Sequence, residues 1–145
     1  MKVVLDTMLW VSYCTRRDGS RHRLIDRALK AKVRLFISDY IVDELADVLR
    51  EDLNESARYV QLARRAVLRR AKRVALPKNI RSLVPGDPKD DAVVQTAISS
   101  KSDYLVTADA LLLELGKVQN VDIISVKSFA ERLPAEDEEQ SRSRG

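Results

Sequence analysis

Four acidic side chains stand where the local pattern calls for something else. Asp6 closes the apolar run "VVL" (3–5), and Asp109 follows "YLVT" (104–107) with only Ala108 between. Both positions are the carboxyl ends of short segments rich in branched residues, which read as buried parallel strands. In a parallel α/β sheet, sites form beyond those ends. Glu44 lies three residues after Ile41 and four before Val48, so it shares the apolar face of a helix. Asp91 lies three residues before Val94 and seven before Ile98. Asp90 lines up with Val94 and Ala97, so helical phase alone does not separate it from Asp91, and Asp87 is a third rival in the same stretch, "GDPKDD".

Each acid has an ordinary explanation, because Asp is a favoured helix N-cap and acids are favoured in a first helical turn. Four acids from four elements, brought to one edge of one sheet, are another matter. Two carboxylates ~5 Å apart repel by roughly 3 kcal/mol at an effective dielectric of about 20. Such a cluster is unfavourable unless protons or a cation neutralise it. Oxygen donors without a cysteine cluster or a histidine pair suit Mg²⁺ or Mn²⁺ better than zinc. The one histidine, His22, has no second to pair with and is expected at the surface.

The elements that must position these acids follow from the apolar runs. "KVVLD" (2–6), "VRLFIS" (33–38), "DYLVT" (103–107) and "VDIIS" (121–125) are too short for free-standing helices and read as strands. Between them lie helical patterns. "HRLIDRALKA" places Leu24, Ile25, Ala28 and Leu29 at helical spacing. "SDYIVDELADVLREDL" offers Ser38 as N-cap and Ile41, Leu45, Val48 and Leu49 as its stripe. "NESARYVQLARRAVLRRAKRV" is expected as one long amphipathic helix with Val60, Ala63, Val67 and Val74 on a face. "LPKNIRSLVPGDPKDD" carries Pro77, Pro85, Gly86 and Pro88 and reads as a loop. "DDAVVQTAISS", "DALLLELGK" (closed by Gly116) and "SVKSFAERL" are the last helices. Alternation of this kind predicts an α/β fold with a mainly parallel sheet of about four to five strands flanked by helices.

The chain's 145 residues suit one domain. Residues 1–133 are expected to form it, and 134–145, "PAEDEEQSRSRG", to be a disordered charged tail. Net charge is +4, and the tail holds four acids against two arginines, so the body carries about +6, which makes a polyanion partner plausible. No apolar run approaches the ~20 residues of a membrane span, and no secretory signal is evident. A single cysteine, Cys14, excludes an internal disulfide framework and fits a reducing cytoplasm.

Four segments, "VVLDTMLWVS", "ISDYIVDELADVL", "GDPKDDAVVQTAI" and "DYLVTADALLLEL", in that order and spacing, resemble the PIN-domain ribonucleases. The closest group is the VapC-like toxins of toxin–antitoxin pairs, and the likeness spans roughly residues 1–130. The resemblance implies a pocket of Asp6, Glu44, Asp91 and Asp109 that binds one or two Mg²⁺ or Mn²⁺ ions and cleaves single-stranded RNA. It favours Asp91 over Asp90, because "AVVQTA" matches the family's helix from that point. It also implies support from the hydroxyls of Thr7 and Thr107, and Ser12 matches a common family serine. One position departs: Met8 stands where the family usually has Asn or Ser, and loss of a side chain that orients a carboxylate could weaken the site.

The implied chemistry is metal-assisted phosphodiester hydrolysis, with Asp6, Asp91 and Asp109 as principal ligands and Glu44 as a ligand or, through water, the general base. For the RNA, Arg16, Arg17, Arg21 and Arg23 form one basic block and Arg64, Arg65, Arg69, Arg70, Lys72 and Arg73 another. Aromatics are only 5% of the chain, so base stacking on rings is not the expected grip. The resemblance further implies an antitoxin protein partner and a homodimer, for which "YIVDELADVL" is a candidate surface. Three rival readings remain: a phosphoryl-transfer enzyme with Asp6 as nucleophile, a catalytically inactive PIN-fold RNA-binding or assembly module, and a housekeeping RNA-processing nuclease. The first usually has a second Asp two residues on, where this chain has Met8.

Overall fold

The computed structural model describes residues 1–79 and 88–134, with backbone alone for 88 and 89. Asp87 and residues 135–145, including nearly all of the expected tail, lie outside the described residues. In chain order the elements are β1 (Lys2–Leu5), α1 (Thr7–Thr15), α2 (Ser20–Lys30), β2 (Arg34–Ile37), α3 (Asp39–Asp47), α4 (Ala57–Arg70), β3 (Ala71–Arg73), α5 (Pro88–Ser99), β4 (Tyr104–Val106), α6 (Ala110–Leu115), β5 (Lys117–Val118), β6 (Val121–Ile124) and α7 (Val126–Glu131). A single π-helical turn, Val48–Asp52, extends α3.

Among the described residues six strands form one sheet in the order β3-β2-β1-β4-β6-β5. Every pairing is parallel except β5 with β6. The chain builds outward from β1 to β2 and β3, then returns to place β4 on the other flank of β1. The order therefore reverses between β1 and β4, which makes their carboxyl ends the switch point where α/β sheets bind ligands. Leu5 is registered with Val106 there, so Asp6 and Thr107 leave the sheet side by side.

The four expected strands are all present as β1, β2, β4 and β6, and their apolar residues are buried as continuous runs: Val3, Val4 and Leu5; Leu35, Phe36 and Ile37; Leu105 and Val106; Ile123 and Ile124. Helices α1, α3 and α5 pack on one another or on the central strands and enclose Trp10, Ile41, Leu45, Val94 and Ala97 in one core. Two strands were not expected. The long helix ends at Arg70, and Ala71–Arg73 turns extended to pair with Leu35–Ile37. Of that strand only Ala71 is buried, and Lys72 and Arg73 project to solvent, a common way to blunt an open sheet edge. The second is β5, a two-residue ribbon beside β6.

The helix start also differs from expectation. Asn54 takes a left-handed conformation (φ 54°) and breaks the path, so α4 begins after Ser56, whose side chain caps Tyr59 N–H at 3.1 Å. Gly116 closes α6 at φ 68°, a conformation that favours glycine. The stripe of "YIVDELADVL" is consumed internally: Ile41, Val42, Leu45, Ala46 and Leu49 are all buried in the chain's own core. No helix among the described residues is long and apolar enough to cross a membrane.

Candidate metal and phosphodiester site

Asp6 is the N-cap of α1, and its Oδ1 accepts the Leu9 N–H at 3.1 Å. Its other carboxylate oxygen accepts the Thr107 hydroxyl in a short hydrogen bond. Thr107 in turn accepts the Asp109 N–H at 3.0 Å, while the Asp6 N–H donates to the Val106 carbonyl at 3.1 Å. A continuous chain of bonds thus runs from the turn after β4 to the turn after β1. Burial pushes the Asp6 carboxyl above the usual range, against the opposing effects of the Thr107 hydroxyl, the Leu9 and Ala108 N–H groups and the Arg21 charge. Desolvation of the anion is the largest cause, so the protein does not itself neutralise this charge.

Asp109 stands two residues beyond Thr107 as the N-cap of α6, accepting the N–H groups of Leu111 (2.8 Å) and Leu112 (3.2 Å). It is exposed. The other two acids arrive from helices. Glu44 is half-buried on α3, where the Tyr40 hydroxyl donates to it at 3.3 Å. Asp91 is buried in the first turn of α5, whereas Asp90 beside it is half-buried. Helices α3 and α5 are tied together at the end of β2, because the buried Ser38 caps Ile41 N–H and also accepts the Thr96 hydroxyl at 2.8 Å. The sheet and these helices therefore bring the four elements bearing the acids to one region.

The carboxylates as placed do not close a ligand set. Among the described residues no three His, Cys, Asp or Glu side chains lie together closely enough to hold an ion. Asp6 and Asp109 spend oxygens on capping their helices instead. The chemistry of the donors nevertheless fits a hard divalent cation: the candidates are all oxygens, the Asp6 charge is desolvated, and the Thr7 hydroxyl is buried with no hydrogen-bond partner among the described residues.

Of the supporting residues, Ser12 is half-buried on α1 and accepts the Arg21 guanidinium at 3.2 Å. Arg21 is thereby held close enough for its charge to act on Asp6. Arg23 turns back to the Asp18 carbonyl, and Arg16 and Arg17 are exposed. In the second basic block Arg64 pairs with Asp43 and Arg73 with Asp39, while Arg70 bonds to the Tyr13 hydroxyl.

His22 is not the surface residue expected. It is half-buried, stacks on Tyr13 at 4.2 Å, bonds through Nδ1 to the Tyr13 carbonyl at 2.8 Å and faces Asp26 at 3.3 Å. It borders a groove of about 370 Å³ among α1, α2 and α4 that holds none of the four acids. Tyr40 is a neighbour of Glu44 that sequence reasoning missed. Its position four residues before Glu44 on the same helix was the available signal.

A mainly parallel α/β domain with Asp6, Thr107 and Asp109 linked at its topological switch point defines the class. The chain belongs to the PIN-domain family, whose model matches residues 2–111. Among solved structures, a chain of VapBC2 from Rickettsia felis bound to a DNA fragment from its promoter aligns with TM-score 0.65 at 16% identity, covering 86% of this chain and 98% of that one. The PIN domain of the endonuclease Utp24 aligns with TM-score 0.53 at 26% identity, covering 86% and 84%. No curated protein matches the sequence.

Proposed function

We propose that this protein is a divalent-metal-dependent endoribonuclease that hydrolyses phosphodiester bonds of single-stranded RNA, and that it is the toxin of a toxin–antitoxin pair. The observation that carries the reading is the bonded link from Asp109 N–H through Thr107 to the Asp6 carboxylate at the β1/β4 switch point of a PIN fold. A nuclease fits the fold's membership, and Utp24 is itself a PIN endonuclease. The toxin assignment draws on the sequence resemblance and on the likeness to a VapBC2 chain.

Asp6, Asp91 and Asp109 would hold one or two Mg²⁺ or Mn²⁺ ions, with Glu44 as a further ligand or, through a water, the general base. When bound, the cation supplies a lowered pKa for that water and offsets charge on the leaving oxygen. Thr107 fixes the rotamer of Asp6, and Thr7 offers its buried hydroxyl beside it. Arg21, whose charge acts on Asp6, draws the phosphate backbone towards an edge that would otherwise repel it, and Arg16, Arg17 and Arg23 add positive charge to the same stretch of chain. An antitoxin would act by covering this edge. A homodimer would need a surface other than the buried stripe of α3.

Cleavage of a labelled single-stranded RNA pool in Mn²⁺, Mg²⁺ or EDTA tests the reading, with wild type set against Asp6→Asn. Cutting that requires metal and falls about a thousandfold in Asp6→Asn, equivalent to about 4 kcal/mol, is expected. Equal inertness of both proteins in either metal would assign the fold to a binding module instead.

A further inference from the structure

We infer that the outer ridge of α4, carrying Arg58, Arg65 and Arg69, grips the phosphate backbone of RNA away from the bond that is cut. This extends the nuclease reading above, and it is measured without catalysis.

Around the axis of α4, Arg58, Leu62, Arg65 and Arg69 fall within about 60° of one another, and all four are exposed. Val60, Ala63 and Val67 lie on the opposite side and are buried, so the ridge faces straight out from the core. From Arg58 to Arg69 it runs about 16 Å at 1.5 Å per residue. Its guanidinium groups are uncommitted. Arg64 pairs with Asp43, Arg73 pairs with Asp39, and Arg70 bonds to the Tyr13 hydroxyl and the Ala66 carbonyl. Arg58, Arg65 and Arg69 have no hydrogen bond, ion pair or ring contact among the described residues.

A solvated helix face usually mixes signs and sets acids one turn from its cations. This one does the reverse. Residues 56–86 hold nine Lys or Arg and no Asp or Glu, although an even spread of the chain's 22 acids over 145 residues would put about five there. Arg65 and Arg69 are like charges four residues apart, and Arg58 sits in the first turn, where the helix dipole disfavours a cation. The helix thus keeps a charged ridge that weakens it locally, and a partner of opposite charge relieves both effects.

The charge pattern selects that partner. Phosphates recur along a strand at regular intervals, so a row of cations meets them in succession without reading a base. All three cations are Arg, although Lys forms helix equally well. The guanidinium fork matches a phosphate with two parallel hydrogen bonds. The ridge also belongs to an element packed directly against α3, the helix of Glu44, where Arg64 reaches the adjacent Asp43 at 3.5 Å.

Binding of end-labelled polyuridylate and polyadenylate of about 25 nucleotides, measured in EDTA over a salt series, tests the inference. One variant combines Arg58→Gln, Arg65→Gln and Arg69→Gln, which preserves helix propensity. A second combines Lys30→Gln, Lys101→Gln and Lys127→Gln, exposed positions elsewhere, and loses the same net charge. The ridge variant is expected to bind both RNAs at least about tenfold more weakly, with the slope of log K against log salt flatter by about 2. The lysine variant should bind as wild type does. Wild-type affinity in the ridge variant, or an equal loss in both variants, overturns the inference. So does wild-type protein that prefers poly-glutamate to RNA of equal charge, since the ridge would then serve an acidic protein. Wild type that binds through the ridge yet cuts nothing in Mn²⁺ or Mg²⁺ removes the nuclease reading and leaves the ridge standing.

Discussion

Asp6 does three things at once. It ends β1, caps α1 and keeps a desolvated charge. Its carboxyl is held above the ordinary value by burial, so the native state retains the proton more tightly than the unfolded chain does. The stabilising contribution is present below the ordinary value and is lost as pH rises through the raised one. At neutral pH the ionised group therefore destabilises the metal-free fold. Asn is an equally good N-cap and carries no charge. Asp6→Asn should raise the melting temperature of the metal-free protein at pH 7 by about 3 °C, with the gap narrowing in acid. Added Mn²⁺ should stabilise wild type and leave the variant unmoved. Thermal scans at two pH values check both expectations, and a variant less stable than wild type at pH 7 would show that capping outweighs desolvation.

How legible each acid was depended on how strongly its position broke a local pattern. Asp6 and Asp109 could be read because apolar runs end on them, and Glu44 because it sits in phase with Ile41 and Val48. Asp90 and Asp91 could not be separated by phase, since both lie within one turn of Val94. In the fold Asp91 is buried and Asp90 half-buried. His22 was unreadable for a different reason: its partner Tyr13 lies on another helix, nine residues away.

At the scale of elements, the sheet's centre was legible and its edges were not. β1, β2, β4 and β6 announce themselves by buried branched residues, whereas β3 is three residues with two of them cationic and β5 is only two residues long. Neither contains a pattern for periodicity to detect; both exist because a neighbouring strand offers unpaired backbone groups. Ser38 shows the opposite case, a cap foreseen from sequence whose second task was not. It is fully buried and accepts both the Ile41 N–H and the Thr96 hydroxyl, joining α3 and α5 at the end of β2. Ser38→Ala should cost about 1–2 kcal/mol, seen as a lower urea midpoint with unchanged m. It should also weaken Mn²⁺ binding, because the helices bearing Glu44 and Asp91 lose a shared anchor. A stability loss with unaltered metal affinity would show that the two helices are positioned by packing alone.

For the molecule as a whole, the decisive feature is the reversal of strand order between β1 and β4. It sets the turns after β1 and β4 side by side at the carboxyl edge, where Asp6 and Asp109 stand, while Glu44 and Asp91 come from α3 and α5, which pack on one another. Asp6 and Asp109 are 103 positions apart in sequence, yet one threonine links them. The central claim is that this edge exists to hold a divalent cation. Calorimetric titration of Mn²⁺ into the metal-free protein tests it most directly, with Asp6→Asn and Asp109→Asn as comparators. Wild type is expected to bind one or two ions saturably, with binding weakened as pH falls through the raised Asp6 value and lost in both variants. Wild-type protein that gives no binding heat, or variants that bind as wild type does, would contradict it.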